Sequence, residues 1–316
     1  MFYSLRKIHA KIRFFLHKSL HLHGLGSMAT QKQHRMFIFK NNEDLHRFLD
    51  KIKKKKLKIG FVPTMGALHE GHLSLIASAK QQTDFVVTSI FVNPTQFNDQ
   101  TDLVKYPRTM DKDIALLAQA NNDLLYAPFV DQIYPKNFND QQVFDLKGLD
   151  MLLEGAFRPG HFNGVAMVVN RLLEIVQPDA IFMGQKDYQQ ATIIKQLIQS
   201  EKLKAKLVMC PIVRSANGLA LSSRNVRLSK EWQKKALILS KTLKFAKAAI
   251  QKKKPIAQVE IEANKRIEAE GLQPEYFNII NGKSLKKATY SSKKIVAVTA
   301  AWAGDVRLID NMILKE

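Results

Sequence analysis

Cysteine is almost missing from this chain of 316 residues: Cys210 is the only one, so no disulfide framework can form within it and a reducing cytoplasm is the compartment that suits it. Long apolar runs are missing too. None approaches the roughly 18 residues that a membrane-spanning helix needs, so a helical membrane protein is excluded. Acidic residues are scarce, 28 against 49 lysines and arginines, for a net charge of +21. An excess of that size points to anionic partners, whether nucleic acid, a membrane surface or phosphorylated small molecules. The lysines are dispersed or stand in bare runs (Lys53 to Lys56, Lys252 to Lys254), with no interleaved aromatic motif. That distribution argues against nucleic acid and leaves small anions as the expected partners.

A third of the excess charge lies in residues 1–35, which hold seven basic residues and no acidic one. Such a basic, histidine-rich, amphipathic stretch has the composition of a transit peptide or a membrane-surface helix. A start at Met28 or Met36 is the reading favoured here, because Met36 directly precedes a strand-like FIF and a helix expected over Asn42 to Lys53. Residues 1–35 are therefore taken as an extension outside the fold.

The remainder alternates strand and helix patterns up to Ile212. Buried-strand runs are expected at Leu57 to Val62, Asp84 to Val92, Leu124 to Ala127, Ala180 to Met183 and Lys206 to Ile212. Helices are expected between them, including one whose apolar positions, Val165 to Val176, follow the 3.6-residue period. This alternation predicts an α/β fold, a Rossmann-like doubly wound parallel sheet, over residues 36–212. From 213 to 316 the composition shifts to Lys- and Ala-rich helices (Glu231 to Gln251, Ala257 to Gly271) followed by strands (Tyr276 to Ile280, Ile295 to Ala300, Arg307 to Asp310). That shift predicts a smaller C-terminal α+β domain.

One stretch, KIGFVPTMGALHEGHLSL at 58–75, reads as strand, turn and helix, with the helix opening near Gly71 and His72. The first N–H groups of a helix have no internal partners, so a phosphate suits that position, and His69 and His72 beside it can donate to a reacting phosphorus centre. The competing reading makes the two histidines ordinary surface or metal-binding residues. Other loops fall at strand ends: Asn93 and Gln96 after the second strand, Lys186 and Asp187 after Gly184, and Ser222, Ser223 and Arg224 after Gly218. Each is a candidate for substrate or phosphate contact, and each is equally readable as a polar turn or a surface pair.

Six blocks in register make the pattern specific: PTMGALHEGH (63–72), FVNPTQF (91–97), YPRT (106–109), FRPGHFNGV (157–165), GQKDYQQ (184–190) and GLALSSRN (218–225). From about Met36 to its C-terminus the chain resembles the pantoate–β-alanine ligases, within the His-x-Gly-His nucleotidylyltransferase superfamily. The resemblance implies an ATP-dependent ligation through a pantoyl adenylate, with (R)-pantoate, β-alanine and ATP as partners, Mg²⁺ on the triphosphate, a homodimer, and no nucleic acid or membrane. It further implies that His72 and His69 are catalytic. ATP would be bound by Met65, Gly66, Ala67, Leu68, His69, Glu70, Gly71 and His72, by Gly184, Gln185, Lys186 and Asp187, and by Val213, Leu221, Ser222, Ser223 and Arg224, the last four as a flap. Gln96, Gln190 and Arg158 would hold pantoate, with Gln96 also serving β-alanine, and Asp113 is the candidate carboxylate for the metal. Gln185 stands where this family usually has Glu, and Leu221 where it usually has Met. A transferase making a dinucleotide or CDP-type product from the same His-x-Gly-His fold is the rival, and the two glutamines argue against it.

Overall fold

A computed structural model describes residues 35–97, 100–139 and 142–316. The expectations for residues 1–34 fall outside the described residues.

Six strands form a parallel sheet: β1 (Phe37–Phe39), β2 (Ile59–Thr64), β3 (Phe85–Ile90), β4 (Leu124–Tyr126), β5 (Ala180–Gly184) and β6 (Lys206–Cys210), in the order β1-β4-β3-β2-β5-β6. Successive side chains of a strand point to opposite faces, and the two apolar cores of this sheet follow that rule. Ile59, Phe61, Val87, Leu124, Tyr126, Ile181 and Met183 join one core. Their neighbours Val62, Val86, Leu125 and Phe182 join the other. Both faces are covered by helices, which is why these strands read as continuous apolar runs.

Helices α1 (Asn42–Lys54), α3 (His161–Val176) and α4 (Tyr188–Ser200) cover the first face, and α2 (Glu70–Gln82) lies on the other. Leu45, Leu49 and Ile52 are the buried stripe of α1, and Leu75, Ile76 and Ala79 that of α2. Carboxylates at the amino edge of the sheet tie neighbouring strands together: Asp84 accepts from the N–H of Lys58, Asp179 from Ile59 and Asp123 from Val86.

The strand order reverses between β2 and β5. These two pair only at Gly60–Ala180 and Phe61–Ile181, whereas β2 runs alongside β3 through Thr64. Beyond Phe61 the strands part, and Pro63, which has no N–H, adds no rung to close the gap. A crevice therefore opens at the carboxyl ends of the strands, where doubly wound sheets hold their ligands.

After Cys210 the chain leaves this sheet. Helices α5 (Leu237–Gln251) and α6 (Ile256–Ala269) pack on an antiparallel sheet of β7 (Gln273–Asn281), β8 (Ile295–Ala303) and β9 (Val306–Lys315). Alternate residues of the same sheet, Ile280, Val296 and Val298, enter the first core instead. Two local expectations change. The stretch expected as one helix over Glu231 to Gln251 divides at Ala236, with Lys230–Lys235 as a separate short helix capped by Ser229. Strand β9 extends well past the expected Arg307 to Asp310, because the whole ten-residue stretch can pair with β8.

Candidate active site

A cavity of about 650 Å³ lies at the carboxyl end of the parallel sheet, between the loops after β2, β3, β5 and β6 and strands β7 to β9. His69 and His72 line it. Their mutual geometry decides what they can donate. His69 is the N-cap of α2, in extended conformation. Its own N–H donates to Nδ1 of His72 at 3.3 Å, and its Nδ1 accepts the N–H of Gly71 at 3.1 Å. The rings lie 4.1 Å apart. Gly71 is required here, since a Cβ at that position would sit 2.8 Å from Cε1 of His69.

A backbone N–H can only donate, so each Nδ1 carries a lone pair and the proton of each neutral imidazole resides on Nε2. Burial, and secondarily the charge of Lys186, pushes the pKa of His69 down to about 4. Burial, then His69 and Lys186, pushes that of His72 down to about 3. Both rings are therefore neutral at physiological pH and offer Nε2–H groups to the cavity. The reading of bare helix N–H groups waiting for phosphate changes accordingly. The N–H of Gly71 is taken up by His69, that of His72 bonds the His69 carbonyl at 2.8 Å, and the positive end of α2 reaches the cavity through two imidazoles.

Asp113 does not sit at the cavity. Its carboxylate is 1% exposed and accepts from the N–H of Ala67 at 3.0 Å, the N–H of Leu68 at 2.8 Å and the hydroxyl of Thr109. These bonds hold Ala67 at φ +50°, a left-handed conformation costly for a residue with a Cβ. Both oxygens of Asp113, the carboxylate expected to help hold magnesium, are engaged by the loop. No group of three His, Cys, Asp or Glu placed to bind a metal occurs among the described residues.

Gln96 occupies the 3₁₀ turn Pro94–Gln96 after β3. Asn93, 1% exposed, donates through Nδ2 to Oε1 of Gln96 at 3.3 Å and to the carbonyl of Gly164, and it receives the hydroxyl of Tyr134. With its oxygen engaged by Asn93, Gln96 is left with its amide N–H groups as donors, one of them directed at the sulfur of Met65, 2.9 Å away. Gln190, on the first turn of α4, lines the same cavity, as do Arg158, Lys186 and Asp187.

The hairpin after β6 closes the site. Arg214 forms two bonds of 2.6 and 2.8 Å with the buried Asp310, and the N–H of Leu221 donates to the carbonyl of Val213. Ser223 donates to the carbonyl of Ala67 at 3.1 Å, which seats this loop against the one after β2.

Of the positions assigned to ATP, Met65, His69, Gly71, His72, Gly184, Lys186, Asp187, Val213, Leu221, Ser222, Ser223 and Arg224 line the cavity. Gly66, Ala67, Leu68, Glu70 and Gln185 do not. Gln185 is instead locked to Asn311, which accepts from its amide and donates to the carbonyls of residues 185 and 186. Sequence reasoning missed the wall contributed by the second sheet, namely Glu275, Tyr276, Trp302 and Arg307 with Glu154 opposite. It also gave no role to His161 or Gln189, although both lie inside blocks it quoted.

The chain matches the family described as pantoate–β-alanine ligase over residues 37–313. It belongs to the pantoate–β-alanine ligase family. It is 43% identical over 284 residues to the pantothenate synthetase of Bacteroides thetaiotaomicron, covering 89% of this chain and 100% of that one. Identity is 42% to the pantoate–β-alanine ligase of Schizosaccharomyces pombe, over 88% of this chain and 98% of that one. Among solved structures, the pantothenate synthetase of Thermus thermophilus superposes with a TM-score of 0.83 at 37% identity, covering 89% of this chain and all of that one. The ligase of Francisella tularensis, complexed with β,γ ATP and β-alanine, gives 0.73 at 36% identity, over 89% and 98% of the two chains.

Proposed function

We propose that this cavity joins pantoate to β-alanine with cleavage of ATP, with His69 and His72 as the donors to the α-phosphate. The observation that carries the assignment of roles is the reciprocal cap, which leaves two neutral Nε2–H groups side by side where a strand end, a helix start and the cavity coincide. A pantoate carboxylate oxygen attacks the α-phosphorus and the bond to pyrophosphate breaks, giving pantoyl adenylate. The negative charge that builds on the phosphoryl oxygens in that step meets preorganised donors that need no proton of their own to be gained first. The β-alanine amine, as free base, then attacks the acyl carbon. The C–O bond to AMP breaks, the nitrogen loses its proton, and the amide remains.

Gln96 and Gln190 hold the pantoate hydroxyl and carboxylate with amide N–H groups, Arg158 adds a cation beside them, and Gln96 also serves the β-alanine subsite. Lys186, Ser222, Ser223 and Arg224 hold the phosphates, Asp187 the ribose, and the main chain at Val213 the adenine. The loop 221–224 acts as the flap over the triphosphate. Magnesium enters with the triphosphate as part of the substrate, where a hard cation balances phosphate charge. The homodimer implied by the family resemblance and a cytoplasmic location belong to the same proposal. No helix among the described residues is long and apolar enough to cross a membrane.

The test is formation of AMP and pyrophosphate from ATP with pantoate, with and without β-alanine. The reading predicts β-alanine-dependent release of AMP in step with pantothenate. Folded protein that releases none overturns it.

A further inference from the structure

One buried histidine of the cavity wall has no part in this chemistry. His161 opens α3 and is 6% exposed. Its Nδ1 lies 2.8 Å from the carbonyl oxygen of Gln96, and its Nε2 lies 3.1 Å from a guanidinium nitrogen of Arg158. A carbonyl oxygen only accepts and a guanidinium only donates. The ring is therefore neutral, with its proton on Nδ1 and its lone pair on Nε2, the opposite tautomer to that of His69 and His72. Burial, and then the charge of Arg158, keeps its pKa down at about 4, so this arrangement persists at neutral pH.

The rest of the contact between α3 and the 93–96 turn is equally close. A Cβ on Gly164 would lie 2.5 Å from the carbonyl oxygen of Thr95 and 3.1 Å from Cα of Gln96. Asn93 bridges the carbonyl of Gly164 and the side chain of Gln96. Against this background His161 touches both Gln96 and Arg158.

We propose that His161 is a positioning residue of the pantoate subsite, whose imidazole fixes the Gln96 main chain and the Arg158 guanidinium at the separation a 2-hydroxy acid carboxylate and its hydroxyl require. This rests on the reading that Gln96 and Arg158 bind pantoate. A histidine that merely fills the core would alter stability without distinguishing one substrate from another. A positioning residue alters KM for pantoate and leaves KM for ATP in place, because the two ring nitrogens of His161 are engaged by Gln96 and Arg158.

The experiment is ATP–pyrophosphate exchange with pantoate and ATP varied in turn, alongside the thermal midpoint, for His161→Ala, His161→Asn, His161→Gln and Gln96→Ala. Loss of a hydrogen bond that orients a charged-substrate site amounts to about a tenfold change. His161→Ala should raise KM for pantoate about tenfold or more with KM for ATP within about twofold. Asn places an amide N–H where Nδ1 stood and Gln reaches toward Arg158, so each should recover part of the loss while Ala recovers none. If Gln96→Ala raises KM for pantoate and no His161 variant does, the positioning role is overturned. A His161 series in which both KM values and the thermal midpoint move together overturns it as well. If Gln96→Ala leaves KM for pantoate unchanged, the reading beneath it fails first. Should His161→Ala not fold, the Asn and Gln variants alone decide between these outcomes.

Discussion

Arg307, on β9, grips Glu154, the first residue of the short helix Glu154–Phe157 before α3, through two hydrogen bonds of 2.6 and 2.9 Å. The same guanidinium donates twice to Glu275 at 2.9 and 2.6 Å, while Trp302 and Tyr276 complete the two carboxylates. The N–H of Glu154 is in turn held by Gln189, whose amide secures the carbonyls of Leu149 and Leu152. One cation thus ties the antiparallel sheet to the segment that leads into Arg158 and His161.

Truncating that cation should be costly. Arg307→Ala strands two carboxylates in a largely buried place, and removal of one partner of a buried pair typically destabilises by about 3–5 kcal/mol. Urea unfolding measures it; a loss under about 1 kcal/mol would show the network to be solvated and weak. The acid dependence has a definite sign. Burial pushes the pKa of Glu154 up, but the bonds and charge of Arg307 outweigh it and leave it below the usual glutamate value. Its contribution to stability is therefore present above the unfolded glutamate pKa and lost as pH falls through the lower folded one. In Arg307→Ala burial is opposed by the bond from Tyr276 and the charge of Arg158 without the larger help of Arg307, so that acid loss should shrink.

The imidazoles give a second pH signature. His69, His72 and His161 have folded pKa values of about 4, 3 and 4 against about 6.5 in an unfolded chain. Between pH 6.5 and about 4 the unfolded chain takes up protons that the fold refuses, so stability must fall as pH falls through that window. The urea midpoint of the free protein should drop from pH 7 to pH 4.5, and His72→Gln should flatten the slope. A midpoint that holds steady or rises on acidification contradicts the assigned neutral states.

The same assignment fixes what His72 does in catalysis. With its Nε2–H as a donor and not an acid, His72→Ala should slow adenylation by about two to four orders of magnitude, measured as pyrophosphate burst under single-turnover conditions. Adenylation near the wild-type rate would remove His72 from the chemistry.

Much of this was legible in the chain because strand ends announce themselves. The runs IGFVPT and FVVTSI are buried on both faces, and the loops that follow each of them carry the polar residues, so sheet, crevice and the Gln96, Lys186 and His72 positions all follow from pattern and motif. Arg307, Glu275 and Trp302 were out of reach for a physical reason. Their strands pair antiparallel with one another, and only the packing of β7 to β9 over the crevice brings them to the wall; nothing in local spacing encodes that. Asp113 was named for the metal from the family resemblance, and no local pattern announces what its two oxygens do, which is to receive the N–H groups of Ala67 and Leu68 from a loop some 45 residues earlier.

Gln190 offers a direct reading of the pantoate assignment. Its amide faces the cavity from the first turn of α4. A hydrogen bond to a charged ligand group contributes about 1.5–3 kcal/mol, so Gln190→Ala should raise KM for pantoate roughly 10- to 150-fold. KM for ATP should stay within about twofold. Steady-state kinetics with each substrate varied separates the two, and an equal rise in both would place Gln190 elsewhere in the reaction.

Asp113 can be tested apart from the metal it was first assigned. Asp113→Asn keeps one acceptor oxygen but cannot receive the N–H groups of both Ala67 and Leu68, and each buried donor left unsatisfied costs about 1–3 kcal/mol. Ala67, held at φ +50° by that carboxylate, then relaxes, carrying the loop that precedes His69. The variant should lose stability in urea by about that amount and bind ATP more weakly, while the magnesium concentration for half-maximal rate, measured at saturating ATP, stays where it is in the wild type. Replacing Ala67 by Gly in the Asp113→Asn background should return part of the lost stability, because glycine adopts that conformation without strain. A magnesium requirement shifted tenfold or more in Asp113→Asn, with stability unchanged, would restore the carboxylate to the metal and undo the loop-holding role.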